Sequence, residues 1–175
     1  MDAPNITTIP IEHPVSDADG GVRGIVLFVT DPDTQLTEEL SPLGESFYRE
    51  GVLPGRFNIQ HWLTQWRLII KSKLGFIWLL MHNGKPVGAI GVLLAPDLCD
   101  ADLVLTEAFW YVMPEHRGGS GGIRLLKEAE KFAVGCGAKR ILMARHHAAT
   151  DERLDRLYEG RGYFAAHTTY CKVLP

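Results

Sequence analysis

The run Arg117-Gly-Gly-Ser-Gly-Gly-Ile-Arg124 places four glycines and a serine between two arginines, directly before an amphipathic segment. Small residues let a backbone turn sharply and leave successive N–H groups exposed. The opening N–H groups of a helix have no intrahelical acceptor and lie at its positive dipole end, so such a place attracts phosphate. Arg117 and Arg124 could add charge-assisted hydrogen bonds to a diphosphate. A Walker A loop is excluded, because no Gly-Lys-Ser/Thr follows. A dinucleotide fingerprint fits poorly, because no βαβ unit with an acidic residue at the right distance surrounds the run.

Acid–base candidates lie on either side of this loop. In the strand predicted over Leu103 to Met113, alternation puts Leu103, Leu105, Glu107, Phe109 and Tyr111 on one face. Glu107 is the only charge on that face. A carboxylate among apolar neighbours has a raised pKa and can accept a proton near neutral pH. The competing reading is an exposed edge glutamate paired to an arginine. His146 and His147 are rival bases with a more suitable unperturbed pKa, although a surface or structural role suits them as well. The three cysteines, Cys99, Cys136 and Cys171, lack CxxC spacing. They support neither a disulfide framework nor a metal site, so no metal is expected.

The elements that must position these groups follow from periodicity. Gly24 to Thr30 reads as a strand, and the prolines at 32, 42 and 54 allow only short helical pieces after it. Asn58 is a good N-cap for a helix to about Lys73, with Trp62, Leu63, Trp66, Ile69 and Ile70 forming one apolar stripe. Those tryptophans read as core rather than as ligand contacts. Phe76 to His82 and Pro86 to Ala95 are strands joined by Asn83-Gly84, the strongest hairpin signal in the chain. A helix is predicted from Gly121 to Gly135, buried through Leu125, Leu126, Ala129, Phe132 and Ala133. A strand follows over Arg140 to Arg145, and then a helix capped by Thr150-Asp151 runs to Glu159. Tyr163 to Leu174 is expected to add one or two strands. The whole is a single α/β domain, a central mixed twisted sheet of about six to seven strands flanked by helices. Residues 1–22 read as a loosely ordered leader, and 23–175 as the domain.

Arg117-Gly118-Gly119-Ser120-Gly121-Gly122 resembles motif A of the GCN5-related N-acetyltransferase (GNAT) superfamily, Gln/Arg-x-x-Gly-x-Gly/Ala, with Ser120 standing where the first required glycine belongs. Leu157-Tyr158-Glu159-Gly160-Arg161-Gly162-Tyr163 looks like the family's Phe/Leu-Tyr-x-x-x-Gly-Phe/Tyr segment. The element order matches over about residues 25 to 174. The combination of EAFWYVMPEHRGG with RLDRLYEGRGY looks most like bacteriophage-encoded members. The resemblance implies acetyl-CoA as co-substrate, with the amides of Arg117, Gly118, Gly119, Ser120, Gly121 and Gly122 around its pyrophosphate and Arg124 nearby. It implies that Tyr111, Val112 and Met113 pair with the pantetheine, the Val112 N–H facing the thioester. Glu107 takes the place of the family's glutamate base, and Tyr158 that of its general acid. The implied activity is transfer of an acetyl group to a primary amine by direct attack. The alternative is a GNAT-fold CoA-binding or virion-associated protein with little or no turnover.

Composition narrows the partners. The chain has 175 residues, enough for one full core and little more. Its 18 basic and 21 acidic residues give a net charge of −3, which argues against nucleic-acid binding through the overall field. The apolar runs are too short to span a membrane, and the first residues lack the pattern of a secretory signal. The expected setting is cytoplasmic, that of the host cell if a phage encodes the chain. The expected partners are acetyl-CoA and an unidentified amine acceptor, and a homodimer is compatible with the sequence.

Overall fold

The computed structural model describes residues 24–50, 56–145, 152–169 and 171–172. The leader, His146, His147 and the Thr150-Asp151 cap lie outside the described residues.

Five strands, β1 (Ile25–Phe28), β2 (Gly75–His82), β3 (Lys85–Pro96), β4 (Leu103–Val112) and β5 (Arg140–Leu142), form one sheet in the order 1-2-3-4-5. The first four are antiparallel neighbours, and β5 joins β4 in parallel. The β2–β3 hairpin turns as its sequence demands: Asn83 and Gly84 both take positive φ, 49° and 75°. One face of the sheet carries α1 (Pro32–Gln35), α2 (Ser41–Arg49) and α3 (Ile59–Lys71), the other α4 (Gly121–Gly135). The Asn58 side chain accepts the His61 N–H at the start of α3, as a cap should. On α4 the stripe Leu125, Leu126, Ala129, Phe132 and Ala133 is buried, against Trp78, Leu80 and Ile90 among others. Each such large apolar side chain contributes about 1.5–3 kcal/mol by leaving water. Leu36, Leu63 and Trp66 cover Ile77, Leu79 and Tyr111 on the opposite face. The final helix, α5 (Glu152–Gly160), is tied to α4 by Arg161, whose guanidinium pairs with Glu130.

Three sequence expectations need correction. The sheet has five strands among the described residues, rather than six to seven. Tyr163 to Thr169 forms none: Gly162, at φ 86°, turns Tyr163 back onto Tyr158, whose carbonyl accepts the Tyr163 N–H. Beyond that turn Phe164 is exposed and its neighbours are small or polar, so the segment has no apolar face to bury against a sheet.

The strand expected over Arg140 to Arg145 stops at Leu142. Its next inward-facing amide, that of Ala144, donates to the Glu107 carboxylate instead of to a ladder partner. The strand is cut short by a side chain of its neighbour.

The single apolar face predicted for β4 is split by a β-bulge. Gly91 of β3 pairs with Phe109 while the next residue, Val92, pairs with Glu107, leaving Ala108 as the inserted residue. Alternation therefore changes phase. Leu105 and Glu107 share the α4 face with Val92, whereas Phe109 and Tyr111 pack towards α3. Gly91 makes this possible, since a Cβ there would lie 2.2 Å from the Phe109 ring.

Candidate active site

The bulge and the shortness of β5 shape the site together. β4 and β5 pair only at Val104–Arg140, Leu105–Ile141 and Thr106–Leu142. Beyond Thr106 no described strand covers that edge of β4, and the two strands diverge into a cleft. Met113 donates its N–H to Val87 of β3, at 2.9 Å. By strand alternation the Val112 N–H and C=O then point the other way, into the cleft, as do those of Trp110. Of the predicted trio, Val112 offers hydrogen-bonding groups to a ligand along that edge, whereas Tyr111 and Met113 turn theirs into the sheet. Trp110 is the member that sequence reading left out.

Glu107 stands at the apex of the cleft. Its Oε2 accepts the Ala144 N–H at 2.9 Å. Burial pushes its carboxyl up to about 7, against the smaller opposing effect of that hydrogen bond. Tyr158 of α5 approaches the same residue, its hydroxyl 3.3 Å from the Ala144 carbonyl oxygen. Burial, with the charge of Glu107 second and Tyr163 third, raises the Tyr158 phenol well above its ordinary value. The structure thus brings Glu107 and Tyr158 together. His146 and His147 lie outside the described residues.

The glycine loop closes the outer end of the cleft. The first intrahelical bond of α4 runs from the Arg124 N–H to the Ser120 carbonyl, so the amides before it open the helix without an intrahelical acceptor. Ser120 is the N-cap residue, and its hydroxyl makes no capping bond. Gly118 takes φ 87° and lies in open space, and Gly119 continues the turn. Gly121 and Gly122 differ instructively. A Cβ on Gly121 would meet a Leu80 methyl at 2.6 Å, so close packing of α4 on β2 favours glycine there. A Cβ on Gly122 would make ordinary contacts of 3.6 Å with Trp110 and Val112. Packing alone does not ask for glycine at 122.

The two arginines are engaged elsewhere. Arg124 donates to the Gly24 carbonyl at 2.6 Å, holding α4 to the start of β1. Arg117 donates from Nε to the Val112 carbonyl at 2.8 Å and from Nη2 to both oxygens of Glu50. Glu50 also accepts the Tyr111 hydroxyl at 2.6 Å. Burial alone would raise Glu50, but the hydrogen bonds from Tyr111 and Arg117 outweigh it and hold the carboxyl below its ordinary value. The phenol of Tyr111 is pushed up to about 12 by burial and by Glu50. Sequence reading missed Glu50, which lies 61 residues from Tyr111 and belongs to no motif.

On the α2–α3 face of β4, a cavity of about 230 Å³ opens beside Ala108, Phe109 and Tyr111. Trp62 and Trp66 form part of its wall, so the tryptophan stripe both packs and lines a pocket.

No curated protein sequence matches this chain significantly. Among solved structures, the fold is similar to that of an aminoglycoside acetyltransferase from an uncultured soil metagenomic sample, with TM-score 0.68, 16% identity, and coverage of 87% of this chain and 99% of that one. A transcriptional regulator from Bacillus halodurans matches with TM-score 0.68 and 19% identity over 86% of this chain and 99% of its own. A ribosomal-protein-alanine N-acetyltransferase from Brucella melitensis biovar Abortus matches with TM-score 0.61 and 16% identity, over 86% and 99%. At such identities the likeness speaks for the fold alone. The family model described as "Acetyltransferase (GNAT) family" matches residues 37–163, a span that contains the cleft, the glycine loop and Tyr158. The chain belongs to the GNAT acetyltransferase family.

Proposed function

We propose that this protein is an N-acetyltransferase that moves the acetyl group of acetyl-CoA to a primary amine by direct attack. The observation that carries the reading is the meeting of Glu107 and Tyr158 at Ala144, where β4 and β5 part. In this reading the amides of 118–122 hold the pyrophosphate, the Arg117 amide expected with them being taken by the Pro114 carbonyl, and Gly122 is left bare to admit it. The Val112 and Trp110 edge pairs with the pantetheine as an added strand would. Bound acetyl-CoA supplies the activated acyl group, and the protein supplies proton handling and orientation.

An ammonium cannot attack, so the acceptor must first lose a proton. A carboxyl with a pKa of about 7 is substantially ionised at neutral pH and remains basic enough to take that proton, directly or through water. In this reading Tyr158, whose raised phenol stays protonated at any physiological pH, turns its hydroxyl from the Ala144 carbonyl to the departing thiolate. The Val112 N–H, aimed into the cleft, can stabilise charge that develops on the acyl oxygen. The reading includes a cytoplasmic setting and, from the sequence resemblance, a bacteriophage source, though neither enters the chemistry. No helix among the described residues is long and apolar enough to cross a membrane.

The test is release of free CoA thiol, followed with a thiol reagent across a panel of primary amines. Acetyl-CoA-dependent release that needs an amine and is crippled in Glu107→Gln supports the reading. Binding of acetyl-CoA without turnover on any amine would favour the non-catalytic alternative.

A further inference from the structure

From the cavity beside β4 we infer the class of acceptor: a small primary amine carried on a short chain from an uncharged aromatic ring. The inference rests on the acetyltransferase reading and adds what the acceptor side selects.

The lining of the cavity is mostly apolar and, among the described residues, includes no charged side chain. Its rings brace one another. Trp66 stands edge-on to Phe109 at 89°, with centroids 5.3 Å apart, and Trp62 meets the same ring at 5.7 Å. Phe47 stands edge-on to Tyr111 at 72°. Aromatic walls held in this way keep the pocket open and offer faces and edges to a further ring. The size is suitable: a dry apolar cavity of about 150 Å³ accepts benzene, and this one is about 230 Å³. That leaves room for a ring with a short side chain.

The electrostatics exclude the larger cationic acceptors. A polyamine or an aminoglycoside would bring several ammonium groups to a wall without carboxylates, and burying unpaired charge is costly. Glu50, the carboxylate bonded to lining residue Tyr111, is already matched by Arg117. The cavity also reaches the strand that carries Glu107. Ala108, the inserted residue of the bulge, forms part of its wall and directly follows Glu107. A ring seated against Trp62 and Phe109 can therefore send its aminoalkyl chain past Ala108 to the open edge of β4, where the acyl group is expected.

The experiment uses the full chain and four probes, phenethylamine, spermidine, kanamycin and a short peptide with an N-terminal phenylalanine. Binding is read first without acetyl-CoA, by the change in tryptophan fluorescence, and kcat/KM is then measured for each amine. Saturable phenethylamine binding and a kcat/KM for it above those of the two polycations are expected. Trp62→Ala should weaken phenethylamine by about 10- to 200-fold in kcat/KM, the scale of a lost pocket contact, with acetyl-CoA affinity by calorimetry unchanged. Ala108→Leu, which fills the pocket from the strand side, should weaken it likewise. Phenethylamine binding without turnover on any amine would leave the pocket assignment standing and remove the acetyltransferase reading. Efficient turnover of spermidine or kanamycin with none of phenethylamine would leave the transferase standing and overturn the acceptor class. Higher kcat/KM for a peptide with an N-terminal phenylalanine than for phenethylamine would also overturn it, in favour of a protein acceptor. No saturable phenethylamine signal, in parent or variants, overturns it outright.

Discussion

Glu107 and Tyr158 hold the same residue by its two ends: the Ala144 N–H donates to the Glu107 carboxylate, and the Ala144 carbonyl accepts the Tyr158 hydroxyl. One peptide segment thereby fixes a proton acceptor and a proton donor relative to each other. It does so at the point where the parallel pair β4–β5 stops.

Glu107→Gln should lower turnover by about 10²- to 10⁴-fold near neutral pH, the usual worth of a general base. The loss should shrink as pH rises, because the amine then deprotonates unaided. In the parent, kcat/KM should climb through a pKa of about 7. A flat profile in that range, or full activity in the variant, would assign the base elsewhere.

The same substitution carries a stability prediction with a definite sign. Glu107 has a folded pKa raised from 4.5 to about 7 by burial, so its contribution is most favourable below the unfolded pKa and is lost as pH rises through about 7. A glutamine keeps an oxygen for the Ala144 N–H and never ionises. The melting temperature of Glu107→Gln relative to the parent should therefore increase between pH 4.5 and 8. Parallel curves for the two proteins would contradict the buried, protonatable state.

Tyr158→Phe removes one hydroxyl and keeps the ring contacts with Trp110 and Tyr163. Slow acetyl transfer is expected, with acetyl-CoA affinity and melting temperature close to those of the parent. Should the variant turn over normally, the tyrosine serves packing and the proton comes from elsewhere.

Gly122→Val tests the phosphate loop. The site tolerates a Cβ at ordinary contact distance from Trp110 and Val112, so the fold should survive. The branched side chain would stand over the amides. Calorimetry should show acetyl-CoA affinity lost by about a hundredfold or more, a scale set by removing several charge-assisted hydrogen bonds. Unchanged affinity would move the cofactor to another place.

Glu50→Gln tests the clamp between α2 and the loop after β4. The Arg117–Glu50 pair is about two-fifths exposed on each side, so its loss should cost only about 0.2–1 kcal/mol in chemical denaturation. The sharper readout is spectroscopic. Without the carboxylate, the Tyr111 phenol should titrate below about 12, as seen by tyrosinate absorbance.

What could be read in the sequence was mostly local. Asn58, Asn83-Gly84 and the Gly121 helix carry their own turn and cap chemistry, and each formed where expected. Tyr158 came through resemblance, and Glu107 through being the one charge in an apolar strand. The bulge escaped, because nothing local marks an inserted residue. Its traces are the unbroken run Phe109-Trp110-Tyr111, which has large groups for both faces, and Gly91 on the partner strand. Glu50 and the early end of β5 escaped for a different reason. Both depend on side chains reaching across many residues of sequence, as Glu107 does to Ala144.

The inserted Ala108 also means that β4 works as two half-strands of opposite parity. Up to Glu107 its odd-numbered side chains serve the proton-handling side, and after Ala108 the odd-numbered Phe109 and Tyr111 serve the aromatic pocket. Removing that single alanine would put Phe109 directly after Glu107 and restore an unbroken zigzag, with Phe109, Trp110, Tyr111 and Val112 still opposite the partners they have now. The pocket would keep its rings and the cleft its edge, and what would go is the local bend and the piece of wall that Ala108 supplies. The change that would exchange the two sides is a slip that draws Ala108 into the ladder, which would turn Phe109 and Tyr111 to the Glu107 side and Trp110 and Val112 into the pocket.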